Sequence, residues 1–300
     1  MLSLFTNRRA PRHTPILDDP GPGRTIGKRY ILQRMIGRGG GGDVYLAIQS
    51  ALGSEPERDV VVKLLAGRLL DDVDAIARFE REAERLRAID HPNIVSMFDS
   101  GVDNGRPYLV TEWIDGELLT DYITRLGRLG MREFIPIAAQ VLKGIGHAHS
   151  REMMIRDIKP SNIMLCQRKG RSNFVKVLDF GLAKFMRNEA PLTEGYVIGT
   201  AGYLAPEAIV GDPLDLRVDV YALGVLFYHM LAGEPPFAGC EDATIFYKTI
   251  NDRPRALVEL LPADHGVPEG LLELIDDCLA KDVSQRPADA NIVVERLIDV

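Results

Sequence analysis

Ile155-Arg156-Asp157-Ile158-Lys159-Pro160-Ser161-Asn162, followed downstream by Leu178-Asp179-Phe180-Gly181, is the stretch from which the rest of this chain is best read. Asp157 is a carboxylate able to accept a hydroxyl proton. Lys159, two residues on, can offset anionic charge. Asn162 and Asp179 supply hard oxygen donors of the kind a divalent cation takes. Phosphoryl transfer needs this inventory, because its catalysis is mostly positioning and charge stabilisation. A polar turn between a helix and a strand would explain one such cluster, but not two in this order.

Upstream, Gly37-Arg38-Gly39-Gly40-Gly41-Gly42-Asp43-Val44 has glycines spaced Gly-x-Gly-x-x-Gly, which allow backbone N–H groups to approach phosphates closely. The same spacing in dinucleotide-binding folds opens a helix. Here Val44 to Ile48 reads as a strand, which favours a loop covering phosphates. Val60-Val61-Val62-Lys63-Leu64-Leu65 forms a second strand pattern, so residues from Arg29 onward suggest a small antiparallel sheet. Ile76, Phe79, Ala83, Leu86 and Ile89 recur at helical steps over residues 74–89, and Asp90-His91-Pro92 ends that helix. Pro107 to Thr111 is strand-like and leads into Glu112-Trp113-Ile114-Asp115-Gly116, a natural boundary between lobes. Helical patterns dominate beyond it, as at Phe134, Ile137, Ala138, Val141, Leu142 and Ile145.

Composition narrows the class. The chain's 300 residues suffice for one large domain or two lobes around a cleft. A net charge of −7 argues against a general nucleic-acid binder. The charge is uneven: residues 1–29 carry six cations against Asp18 and Asp19, a net +4, which leaves −11 on the remainder. Residues 1–28, rich in Pro, Gly and Arg, are expected to be a flexible basic tail, and an acidic partner is its possible ligand. No stretch reads as a membrane span or a secretory signal. Cys166, Cys240 and Cys278 are far apart and lack metal spacing, which suits packing roles in a reducing compartment. The expected localisation is cytoplasmic.

Taken together, these motifs closely resemble the eukaryotic-type (Hanks-type) serine/threonine protein kinase family over about residues 30–300, in wording nearest to bacterial members. The resemblance implies an α+β, two-lobed fold. Its N-lobe, about 29–114, is a small antiparallel sheet with one helix; its C-lobe, about 115–300, is larger and mostly helical. It implies transfer of the γ-phosphate of ATP to protein Ser/Thr hydroxyls, with Mg2+ (or Mn2+) as cofactor and autophosphorylation of the activation loop. The alternative within the same fold is a pseudokinase that binds nucleotide or acts as a scaffold. Asp157 would orient the acceptor hydroxyl, Lys159 and Thr200 would assist it, and Asn162 and Asp179 would hold the metal. Lys63 would grip the α- and β-phosphates, paired with Glu82. Ile36, Gly37, Gly39, Gly42, Val44, Val61, Thr111, Glu112, Ile114 and Met164 would surround the nucleotide, the hinge pairing with adenine through the Glu112 carbonyl and the Ile114 N–H.

Three positions depart from the family pattern. Ile155 replaces the His before Arg-Asp and keeps apolar packing with Leu86, Met97 and Phe180 while losing a hydrogen bond. Gly41 replaces an aromatic or Met at the loop tip, and Val61 replaces a smaller Ala. From Asp179 to Glu207 there are 29 residues, the length of an activation segment. Gly199 to Leu204 resembles the acceptor seat of Ser/Thr kinases. Thr193 is the leading phosphosite, ahead of Tyr196; Arg156 and Lys184 would receive its phosphate, and Glu194 would partly imitate it. Asp219 matches the residue that braces the catalytic loop, and Arg286 the partner of Glu207.

Overall fold

The computed structural model describes residues 21–39, 42–51, 56–65, 73–168, 170–178 and 201–300. Six antiparallel strands form the N-terminal sheet: β1 (Thr25–Ile26), β2 (Tyr30–Gly39), β3 (Gly42–Gln49), β4 (Arg58–Leu65), β5 (Met97–Asp103) and β6 (Arg106–Glu112). Their spatial order is β1-β2-β3-β4-β6-β5. β1 begins inside the stretch whose composition suggests a tail. Thr25 and Ile26 pair with Ile31 and Tyr30, and Ile26 is buried, so one apolar side chain anchors that end of the sheet.

Strand alternation divides the side chains of this sheet between two faces. Tyr30, Leu32, Tyr45, Ala47, Val60, Val62, Leu64, Tyr108 and Val110 form an outer cluster. On the other face, Leu65 and Leu109 join the main core with Phe79, Ala83 and Leu86 of helix α1 (Val73–Arg87). The periodic residues of α1 are thus the ones that are buried, as an amphipathic helix on a sheet requires.

The C-terminal part is helical: α2 (Leu119–Leu126), α3 (Met131–His149), α4 (Pro206–Val210), α5 (Arg217–Ala232), α6 (Asp242–Asn251), α7 (Glu269–Cys278) and α8 (Ala290–Ile298). A three-stranded sheet, β7 (Gly116–Leu118), β8 (Ile163–Arg168) and β9 (Arg171–Val177), lies with them. α5 is mostly apolar around its circumference and almost wholly buried, which makes it the central helix of the lobe. Gly224 lets α7 approach it closely, since a Cβ there would stand 2.7 Å from that of Cys278. Burial pushes the Cys278 thiol up to about 12, as expected for a packing residue. Among the described residues, no helix is long and apolar enough to cross a membrane.

Candidate active site

The loop between α3 and β8 is built around one buried carboxylate. Asp219, in the first turn of α5, is fully buried and accepts hydrogen bonds from the Ile155 N–H (2.6 Å) and the Arg156 N–H (2.7 Å). His149, at the end of α3, lies 3.1 Å from the same carboxylate. The Ala290 N–H donates to His149 Nδ1 (3.1 Å), so the ring's proton is on Nε2, which donates to Asp219. Arg156 has φ of +63°, a left-handed conformation costly for a side-chain-bearing residue. The two N–H bonds to Asp219 hold the backbone in that turn.

This turn leads straight into Asp157. Lys159 Nζ lies 3.0 Å from Asp157 Oδ2, and Asn162 Nδ2 donates to the same oxygen (2.7 Å) and to the Asp157 carbonyl (2.8 Å). A 3-10 turn over Pro160–Asn162 sets the spacing. With its NH2 committed to Asp157, the Asn162 side chain has its carbonyl oxygen for a cation, a suitable hard donor. The Leu178 N–H donates to the Asn162 carbonyl (2.9 Å), so the end of the β9 run meets the loop that carries Asp157. Asp179, Phe180, Thr193, Glu194, Tyr196, Lys184 and Thr200 lie outside the described residues, as do Gly41 and the side chain of Glu82. Glu82 itself is on α1, between Phe79 and the buried Ala83.

Across the cleft, β2 and β3 form a hairpin in which Gly37 pairs with Val44 and Gly39 with Gly42; Ile36 sits in a bulge. The glycine run is thus followed by a strand, as its sequence indicates. Gly42 has φ of +127°, and a Cβ there would fall 2.1 Å from the Leu64 carbonyl, so only glycine fits. Lys63 lies between Val44 on β3 and Leu109 on β6, and Val61 between Leu46 and Thr111. Met164 pairs with Leu118 across β7 and β8, and Ile114 is buried in the connection between lobes.

That connection carries a feature the sequence reasoning missed. Lys176 on β9 is buried, forms a short ion pair with Glu112, and donates to the Ile94 carbonyl (3.1 Å). Glu112 also accepts from the Ser96 N–H (2.8 Å). Val95 and Val177 complete the junction: the Val95 N–H donates to the Val177 carbonyl and the Val177 N–H to the Asn93 carbonyl, both at 2.8 Å. The available signal was a lysine between Val175 and Val177 in a strand, a cation that burial obliges to find a partner. The sequence reading also passed over the pair formed by Tyr203 and His229, 2.5 Å apart, beneath the segment that leads to Ala205-Pro206-Glu207. Arg286 does meet Glu207, in a buried fork of 2.7 and 2.9 Å.

Residues 30–298 match the sequence model of the protein kinase domain. The chain belongs to the protein kinase family. It is 34% identical over 281 residues to a probable serine/threonine-protein kinase PknB of Bifidobacterium longum, covering 90% of this chain and 39% of that protein. It is 36% identical over 273 residues to the serine/threonine-protein kinase pkn3 of Myxococcus xanthus, covering 89% of this chain and 49% of that protein. The chain therefore spans less than half the length of these curated relatives. The crystal structure of the Mycobacterium tuberculosis PknI kinase domain superposes with a TM-score of 0.70 at 23% identity, covering 93% of this chain and 98% of that one. That likeness supports the two-lobed kinase fold.

Proposed function

We propose that this kinase domain transfers the γ-phosphate of ATP to Ser or Thr hydroxyls of proteins. The observation that carries the reading is the cluster in which Lys159 and Asn162 both hold Asp157, on a turn braced by Asp219. Asp157 is fixed where it can orient an acceptor hydroxyl and take its proton, and Lys159 places positive charge beside the oxygens of a transferring phosphoryl group. Asn162 and Asp179 would hold magnesium, which when bound neutralises phosphate charge. Lys63, with Glu82, would grip the inner phosphates under the glycine hairpin. The Glu112 side chain is committed to Lys176 and Ser96 and its N–H to the Ser96 carbonyl, so its own carbonyl is the group proposed for the base edge. Thr200, which by family resemblance would pair with Lys159, favours Ser/Thr acceptors, and Thr193 is the proposed autophosphorylation site.

The test is transfer of labelled γ-phosphate with magnesium, comparing the wild type with Asp157→Asn and mapping the modified residues by mass spectrometry. The expected result is label on Ser or Thr, falling about 10²–10⁴-fold in the variant. ATP binding without transfer to any acceptor would instead favour a pseudokinase, the reading to which the buried Ile155 contributes.

A further inference from the structure

Residues 39–42 are all glycine, so the sequence there offers no side chain beyond hydrogen. The first groups able to tie the hairpin down are the facing pair just below it, Arg38 and Asp43. Asp43 receives Arg38 Nε at 2.7 Å and Arg106 Nη2 at 2.8 Å. The two contacts are unequal. The Arg38 side chain is 58% exposed, where an ion pair contributes little, whereas Arg106 and Asp43 are 11% and 14% exposed. Arg106 also donates from Nε to the Leu65 carbonyl (3.0 Å) and from Nη2 to the Leu64 carbonyl (3.1 Å). Those carbonyls belong to the residues immediately after Lys63. One planar guanidinium on β6 therefore grips both the hairpin and the end of the strand that bears the lysine.

We infer that Arg106 is a positioning residue, which registers the glycine-rich hairpin against the Lys63 strand so that both meet the phosphates of one nucleotide. Strand alternation puts Asp43 on the side of Tyr45 and Ala47, the outer cluster, and Val44 and Lys63 on the opposite side. Asp43 and Arg106 thus act from behind the sheet and influence a bound nucleotide through position alone. Burial opposes ionisation of Asp43, but the hydrogen bonds from Arg106 and Arg38 outweigh it and hold the carboxyl below the usual carboxylate range. The clamp is therefore charged at neutral pH. The inference rests on the ATP-binding reading.

A role in phosphate positioning differs from a merely structural one in its ligand dependence. Wild type, Arg106→Met, Arg106→Lys and Asp43→Asn would be titrated calorimetrically with magnesium-ATP and with adenosine, and their melting followed without ligand. The expected result is ATP binding weakened on the order of tenfold in Arg106→Met and Asp43→Asn, with adenosine affinity within about twofold of wild type. Arg106→Lys should fall between, since it keeps the charge and loses the fork. Combining the two strong substitutions should weaken ATP by less than the sum of their separate effects, because they share the Arg106–Asp43 contact. Parallel loss for ATP and adenosine, or no loss for either, overturns the inference. Should Arg106→Met fail to fold, Asp43→Asn, which leaves the guanidinium on its two carbonyls, carries the same comparison. Failure of the wild type to bind ATP at all would bring down the nucleotide reading itself and this inference with it.

Discussion

Two residues decide how well the turn that carries Asp157 is held. Ile155 is fully buried and packs in the main core with Leu86 and Met97, while its N–H bonds to Asp219. Its side chain supplies apolar contact but no donor, where the family's His would add a hydrogen bond of about 0.5–1.5 kcal/mol. Ile155→His is accordingly expected to raise turnover about two- to tenfold at saturating ATP, with nucleotide affinity nearly unchanged. Equal turnover of the two proteins would refute that. Asp219 works at the same scale. In Asp219→Asn, an NH2 replaces an acceptor oxygen, so one of three buried donors loses its partner while Arg156 stays strained. A loss of about 1–3 kcal/mol is expected in urea unfolding, together with slower turnover. Unchanged stability would mean the carboxylate is not the brace it appears from its bonds.

Most elements were legible because each follows a simple period. Phe79, Ala83 and Leu86 mark α1, and Val60 to Leu65 reads as β4; the observed spans differ from the expected ones by only a residue or two. The clustering of Asp157, Lys159 and Asn162 was legible because it is local, the three lying within six residues of one another. The boundary between lobes was also legible, but the ion pair across it was not, since Glu112 and Lys176 lie 64 residues apart. Arg106 and Asp43, 63 residues apart, escaped for the same reason. Register between strands, which no period in a single strand encodes, is what brings such pairs together. The junction makes its own prediction. Lys176→Met leaves Glu112 without its cation and should cost about 1–3 kcal/mol. It should also speed amide exchange at Val95 and Val177 more than in the outer cluster of the sheet; uniform acceleration would show that the ion pair is not a local latch.

At the scale of the whole molecule, acid sensitivity has an identifiable source. Burial lowers the His229 pKa from 6.5 to about 4, so the folded chain keeps this imidazole neutral, accepting from the Tyr203 hydroxyl. The unfolded chain protonates near the usual value. Between those limits the unfolded state binds more protons, so this contribution is complete above pH 6.5 and is lost as pH falls toward 4. It amounts to at most about 2 kcal/mol between pH 7 and 5. His91 and His147 are also lowered, by burial first, and act in the same direction. His229→Gln should therefore flatten, without abolishing, the fall in urea stability over that range; identical slopes would remove His229 from the account. Long-range bracing also has a consequence for the chain while it is being made. His149 waits 141 residues for the Ala290 amide, and Ile155 waits 64 for Asp219. At the usual pace of translation the longer interval is roughly 7–30 s. For the part of that time before Asp219 is added, a nascent chain holds Asp157, Lys159 and Asn162 without the carboxylate that shapes their turn, so the order of synthesis delays assembly of this loop.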